Sequence, residues 1–199
     1  MFNNFHSLKS QRGAMFGLDA RLAMVIFGSL AVIVGMTVFM TVPKIQAKSL
    51  VQDIASYKAA VEGMQYDVRD SVSNIITTGG SADIKRFQAL NDRSVVEAAD
   101  QPRWMGPYLQ SRTSDATVHE NFGQMYLIEA ARDDYTTIAC ADCFYWLRID
   151  DVPENAYIIV NNELDGEGEA SPATSGKVRW EADDGLNPDR LYVRLANVL

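Results

Sequence analysis

Residues that commonly build metal and redox centres are scarce in this sequence. Its 199 residues include only two cysteines and two histidines. A structural zinc site takes four such ligands, and here His6 lies near the N-terminus while His119 stands alone. His119 is followed by Glu120, but no nucleophile stands at a recognisable spacing, so we expect a lone surface histidine. Because nucleotide-binding loops and the GxSxG motif are also absent, the sequence gives no positive indication of an enzyme.

Positive charge is in the minority as well. The chain has 18 Lys and Arg against 26 Asp and Glu, which gives a net charge of −8. An acidic protein repels phosphate backbones, so nucleic acid is not an expected partner. Cations or other proteins are the expected partners.

Charge is entirely missing from one long stretch, Leu22–Val42. A helix of about 21 residues is long enough to cross a hydrocarbon core of roughly 30 Å. The stretch is followed by Pro43 and Lys44 rather than by a small-residue cleavage site, so we expect it to be retained as a single transmembrane helix. The basic residues before it favour a cytoplasmic N-terminus in the inner membrane, with the remaining chain in the periplasm or outside the cell.

The helix is expected to continue beyond this stretch. Apolar residues recur at spacings of three and four after Pro43, namely Val51, Ile54, Val61, Met64, Val68, Val72 and Ile75. This pattern predicts an amphipathic helix that reaches about Ile76 and is ended by Thr77–Gly80. A second, short helix is expected within Asp83–Ala99.

The C-terminal part of the sequence has the pattern of an antiparallel sheet. Strands are predicted over residues 124–131, 135–139, 144–149, 156–161, 177–180 and 191–196. The predicted fold class is α+β, with a long N-terminal helix, transmembrane in its first half, packed on a small sheet. The expected divisions are a leader (1–13), a transmembrane helix (14–43), its amphipathic continuation (44–78), a connecting region (79–123) and a sheet domain with a late acidic loop (124–199).

The N-terminal sequence resembles the prepilin signal of type IV pilins and type II secretion pseudopilins. It has a basic leader ending in Arg12–Gly13, then an acid, Asp19, and then the uncharged helix. The resemblance implies cleavage between Gly13 and Ala14 by a prepilin peptidase, methylation of the new amine, and assembly into a filament. Members of the family usually carry Glu at the fifth mature position, whereas here Asp19 would be sixth. A cut after Gly17 is the alternative.

The same resemblance assigns roles to four residues of the helix. Asp19 would pair with the N-terminal amine of a neighbouring subunit, although it could equally lie at the lipid headgroups and only mark the end of the span. Gly28, Gly35 and Pro43 would let the helix bend or melt when the filament forms, and Pro43 cannot donate a backbone hydrogen bond. Glycines are also common in membrane helices without such a role.

A short loop adds to the resemblance. Trp104–Leu109 reads WMGPYL and is similar to the WxGPYL loop of the major pseudopilins of type II secretion. The alternative is an aromatic turn in which Gly106–Pro107 supplies the bend and Trp104 and Tyr108 supply the packing.

The two cysteines form a CxxC motif, Cys140–Cys143. A redox pair of the thioredoxin type would be followed by a helix, but residues 144–149 are predicted to be a strand. We therefore favour a structural disulfide that fixes a turn between strands, and keep an anchored thiol oxidoreductase as an alternative.

Alternating oxygen-bearing side chains form the late acidic loop. Asn161, Glu163, Asp165 and Glu167 are the kinds of ligand that calcium prefers, and major pseudopilins are known for a calcium site in a comparable loop. A solvated acidic loop without an ion is the alternative, and no other cofactor is expected.

Taken together, these patterns favour a structural subunit of a bacterial type IV filament. Its expected partners are other copies of itself and related pilins, the prepilin peptidase, the inner-membrane assembly machinery and the membrane. The main alternative is a membrane-anchored periplasmic binding domain that does not polymerise.

Overall fold

The computed structural model describes residues 12–110, 115–138, 140, 142–166 and 175–199. The chain divides into two compact units, one up to Val42 and one from Pro43 to Leu199. Helix α1 (Arg12–Val68) begins in the first unit and ends in the second. The fold class is α+β, as predicted.

The first unit is the N-terminal part of α1. It is an apolar helix with no charge between Leu22 and Val42. This is the one helix of the described chain that is long and apolar enough to cross a membrane. None of its described side chains is buried.

The second unit contains a four-stranded antiparallel sheet. Its strands are β1 (Met125–Ala131), β2 (Cys143–Asp150), β3 (Val178–Glu181) and β4 (Arg190–Asn197), in the order β1-β2-β4-β3. Four of the six predicted strands correspond to these. Of the remaining two, residues 156–161 belong to a helix. Residues 135–138 are a turn followed by chain without regular secondary structure, and Ala139 lies outside the described residues.

The helices of the second unit are short after α1. They are α2 (Val72–Ile75), α3 (Ala82–Gln88) and α4 (Glu154–Leu164), with a 3-10 helix at Arg93–Val95. The helix expected within Asp83–Ala99 is thus two separate pieces. The strand predicted over residues 156–161 is wrong, because its buried residues fall at helical spacing: Ala156, Tyr157, Val160 and Asn161.

Helix α1 ends earlier than the sequence pattern predicts. Arg69 has a left-handed backbone (φ 58°), which stops the helix at Val68. Ser71 then caps α2 by accepting a hydrogen bond from the Ser73 amide. The break is tied to the sheet, because the Tyr145 hydroxyl in β2 accepts a hydrogen bond from the Val72 amide at 2.8 Å. The sequence pattern gave no sign of the break, because the buried residues of α2, Val72 and Ile75, continue the apolar spacing of α1.

The main core lies between one face of the sheet and the surrounding helices. Alternate residues of each strand point into it, and the part of α1 after Pro43 contributes Leu50, Ile54, Val61, Met64 and Val68. A smaller cluster lies on the opposite face of the sheet and contains Ile128, Ala130, Trp146 and Tyr192. Both faces of this sheet are therefore largely shielded from water.

Candidate functional site

The apolar segment, defined as Leu22–Val42, exposes large side chains along its length. Met24, Phe27 and Val32 are 70 to 80% exposed. Its hydroxyl groups are satisfied within the helix: Ser29 donates to the Ile26 carbonyl at 2.9 Å, and Thr37 donates to the Val34 carbonyl at 2.8 Å. Internal satisfaction of polar groups is what an apolar environment requires. This surface is suited to lipid or to packing against other apolar helices, and not to water.

The residues to which the resemblance gives assembly roles lie along α1. Gly13 and Ala14 are in its first turn, and Asp19 is exposed. A Cβ added at Gly28 or Gly35 would meet no atom within 4 Å. Packing within one copy of the chain therefore gives no reason for glycine at those two positions.

Pro43 lies inside α1 and is the first residue of the second unit. Its ring leaves one intrahelical hydrogen bond unmade. The boundary between the two units thus coincides with the position at which the sequence predicts a weakened helix.

The aromatic loop, Trp104–Leu109, is attached to the second unit by side-chain hydrogen bonds. Trp104 donates from Nε1 to the Ala89 carbonyl at 2.8 Å, and the Tyr108 hydroxyl donates to Asp67 Oδ2 of α1 at 2.9 Å. The two rings meet edge to face, with centroids 5.6 Å apart. The loop is therefore an anchor for α1, as the aromatic-turn interpretation expects.

Glycine is required in this loop for space. A Cβ on Gly106 would lie 2.6 Å from the Trp104 ring and 2.8 Å from the Tyr108 ring. The Gly106–Pro107 peptide bond is cis. Burial, reinforced by hydrogen bonding to Asp67, raises the pKa of Tyr108 to about 12.

The CxxC pair is joined by a disulfide between Cys140 and Cys143, whose Cα atoms are 5.3 Å apart. Cys143 is the first residue of β2. A strand therefore follows the motif, as the structural-disulfide interpretation expects, and not the helix that a thioredoxin-type site would have.

The proposed calcium ligands differ in burial and in their position relative to α4. Asn161 is buried in α4, Glu163 is exposed two residues later, and Asp165 is the C-cap of that helix. Residues two apart on a helix point in nearly opposite directions, so Asn161 and Glu163 do not converge. Asp165 Oδ2 accepts backbone hydrogen bonds from Lys177 and Val178 at 2.7 and 2.8 Å. Glu167 lies outside the described residues, among which no group of three or more acidic, His or Cys residues is placed to hold a metal.

His119 is buried, so the expectation of a surface histidine is wrong. Its Nε2 lies 3.3 Å from Asp53 Oδ2 of α1, and its Nδ1 accepts a hydrogen bond from the Asn121 amide at 3.2 Å. Its ring packs beside Phe122. The pair lines a cavity of about 340 Å³. The sequence held a signal for it, because Asp53 interrupts the apolar face between Leu50 and Ile54.

None of these groups forms a constellation of nucleophile, base and oxyanion donors within the described residues. The surface that best suits a functional role is the apolar segment. Compared with protein-family models, with curated proteins and with solved structures, the chain matches none of them.

Proposed function

We propose that this protein is a structural subunit of a bacterial type IV filament. One observation carries the proposal: the apolar segment exposes every described side chain, whereas α1 beyond Pro43 buries one face in a folded unit. A helix with this division is suited to two successive environments. Lipid surrounds its apolar part before assembly, and the helices of neighbouring copies surround it afterwards.

Three further features support the proposal. The leader places a Gly–Ala bond before the apolar segment, and Asp19 supplies the acid that would pair with a neighbour's N-terminal amine. Gly28 and Gly35 leave room for close helix approach, since nothing in one copy occupies that space. Processing by a prepilin peptidase and assembly at the inner membrane follow from this role, with the folded unit in the periplasm or outside the cell.

The test is intact mass and N-terminal sequencing of protein recovered from sheared surface filaments of the producing cells. The proposal predicts a chain that begins at Ala14 with a methylated amine. A matched pair of variants, Gly13→Val and Gly17→Val, separates the two possible cleavage sites, since only the first is expected to leave the chain uncut. Protein found only uncut in membranes would contradict the proposal and favour an anchored domain that does not polymerise.

Asp19→Ala tests the assembly charge. We expect cleavage to continue and filament yield to fall, because the neighbouring amine loses its partner. Arg21→Ala is the control for a general effect of removing a charge next to the apolar segment. Normal filament yield from Asp19→Ala would remove the pairing role while leaving the subunit role in place.

A further inference from the structure

Arginines gather on one face of the sheet in this acidic protein. Successive side chains of a strand point to opposite faces of the sheet. The face opposite the main core carries Arg148 of β2, Arg179 of β3, and Arg190 and Arg194 of β4. Aromatic rings lie between them. We call these four side chains the arginine face.

Three of the four have acidic partners. Arg148 Nε lies 3.0 Å from Asp150 Oδ1, and Arg190 lies 3.8 Å from the same oxygen. Arg194 lies 3.5 Å from Asp133 Oδ1. Pairing of this kind is what partly buried charges normally require.

Arg179 is different. It is the most enclosed of the four, with 8% of its surface exposed, and it makes no hydrogen bond or ion pair with the described residues. Its Nε is fully enclosed and makes no hydrogen bond. Its two terminal nitrogens also make none with the described residues, but they are not fully enclosed. The guanidinium lies between two rings, 5.3 Å from the centroid of Trp146 and 5.8 Å from that of Tyr135.

The nearest acids are committed to other groups. Both oxygens of Glu181 accept tyrosine hydroxyls, from Tyr135 at 2.5 Å and from Tyr192 at 2.9 Å. Asp134 accepts hydrogen bonds from the side chains of Thr136 and Thr137, which close the turn after β1. Neither carboxylate makes a hydrogen bond or ion pair with Arg179, although the positive charge of Arg179 is among the smaller causes that lower the pKa of Asp134.

Positive charge accumulates around this arginine. Arg194 stands directly opposite Trp146 in the β2–β4 pairing, and its guanidinium is 5.8 Å from the same ring. Burial lowers the pKa of Arg194, and the positive charges of Arg132 and, to a smaller extent, Arg179 lower it further, while the negative charges of Asp133 and Asp165 oppose the shift. An anion bound here would reduce the repulsion among the arginines and accept hydrogen bonds from the terminal N–H groups of Arg179.

We propose that Arg179 anchors a binding site for a carboxylate presented by an acidic polypeptide segment. The fork of one unpaired guanidinium matches the two oxygens of one carboxylate, and packing against Tyr135 and the fully buried Trp146 holds that fork in place. One unpaired positive charge balances a monoanion better than a phosphate dianion. This site is independent of the role proposed for α1.

The test is calorimetric titration of the full chain in detergent micelles with two capped peptides, hexaglutamate and hexaglutamine, at fixed ionic strength. We expect hexaglutamate to bind and hexaglutamine not to bind. Arg179→Gln is expected to weaken hexaglutamate binding by about tenfold or more, because a hydrogen bond between charged groups is lost. Arg93→Gln, which removes an exposed arginine elsewhere, is expected to change it by less than about twofold.

Arg179→Lys keeps the charge but not the fork, and serves if the Gln variant fails to fold. It is expected to lose most of the binding while its circular dichroism stays that of the wild type. Absence of hexaglutamate binding, or an equal loss from Arg93→Gln and Arg179→Gln, would overturn the proposal. So would inorganic phosphate binding more tightly than hexaglutamate with the same dependence on Arg179, since the site would then take a phosphoryl group.

Discussion

The two units of this chain use apolar residues in opposite ways. Before Pro43 the large apolar side chains are exposed, as with Leu30 at 51%, whereas Leu50 and Leu147 in the second unit are completely buried. Burial of apolar surface is the main favourable term in folding. The second unit therefore carries its own source of stability, and the first unit obtains its stability from what surrounds it.

Because of this difference, retention in a membrane or filament and the free energy of unfolding depend on different parts of the chain. Retention in a membrane or filament should depend on the apolar segment, and the free energy of unfolding should depend on the core between sheet and helices. The two properties can therefore be altered independently by substitutions on either side of Pro43.

The largest effect is expected from Leu147→Ala in β2. This side chain is fully buried in the main core, and its loss should lower the free energy of unfolding of the second unit by about 2–5 kcal/mol. Urea unfolding followed by circular dichroism in detergent measures it. Leu186→Ala is the matched control, because Leu186 is 93% exposed and its loss should have little effect. Equal effects of the two changes would contradict the assignment of the core.

A somewhat smaller effect is expected from Val32→Lys in the apolar segment. A lysine at the centre of a membrane helix costs about 2.5–3.5 kcal/mol of insertion free energy. The fraction of protein retained in membranes after alkaline extraction should fall, and the urea midpoint of the second unit should not change. Val32→Leu preserves apolar character and is expected to behave as the wild type. A lowered urea midpoint in Val32→Lys would mean that the two units are not energetically separate.

The main elements of the fold followed from residue periodicity. The apolar segment has no charge over its whole length, which predicts a long apolar helix. The four strands show alternation of apolar and polar residues or contain β-branched and aromatic residues, which predicts strands. Helix α4 was missed because its short apolar run, around Tyr157 to Val160, fits a strand as well as a helix. Its helix-start signals, a proline at Pro153 followed by an acid in the first turn at Glu154, were the features that could have decided the assignment.

The sites were less predictable than the fold. The pairing of His119 with Asp53 joins residues far apart in sequence, so only an acid within an apolar helix face hinted at it. Arg179 has no ion-pair partner while Glu181 and Asp134 accept hydrogen bonds from two tyrosines and two threonines. Residue spacing does not predict which side chains those two carboxylates accept from. The break at Arg69 is likewise followed by a contact that spacing does not reveal, because the Val72 amide donates to Tyr145 in a distant strand.

The smallest effect is expected from Tyr108→Phe, which tests how the aromatic loop holds α1 to the rest of the second unit. Loss of the hydroxyl removes the hydrogen bonds to Asp67 and from the Met105 amide, at a cost of about 1 kcal/mol in free energy of unfolding. Tyr66→Phe removes a hydroxyl from a side chain that is 80% exposed on the same helix, and is the matched control.

The difference between wild type and Tyr108→Phe should also depend on pH. The pKa of Tyr108 is raised from its ordinary value of 10.0 to about 12, so the unfolded chain loses this proton at lower pH than the folded chain does. The stabilisation by Tyr108 is therefore fully present below pH 10 and is lost as the pH rises towards 12. Urea unfolding at pH 8, 10 and 11.5 should show the advantage of the wild type over Tyr108→Phe shrinking at the highest pH. A constant difference across this range would mean that the Tyr108 hydroxyl is not held as a neutral donor against α1.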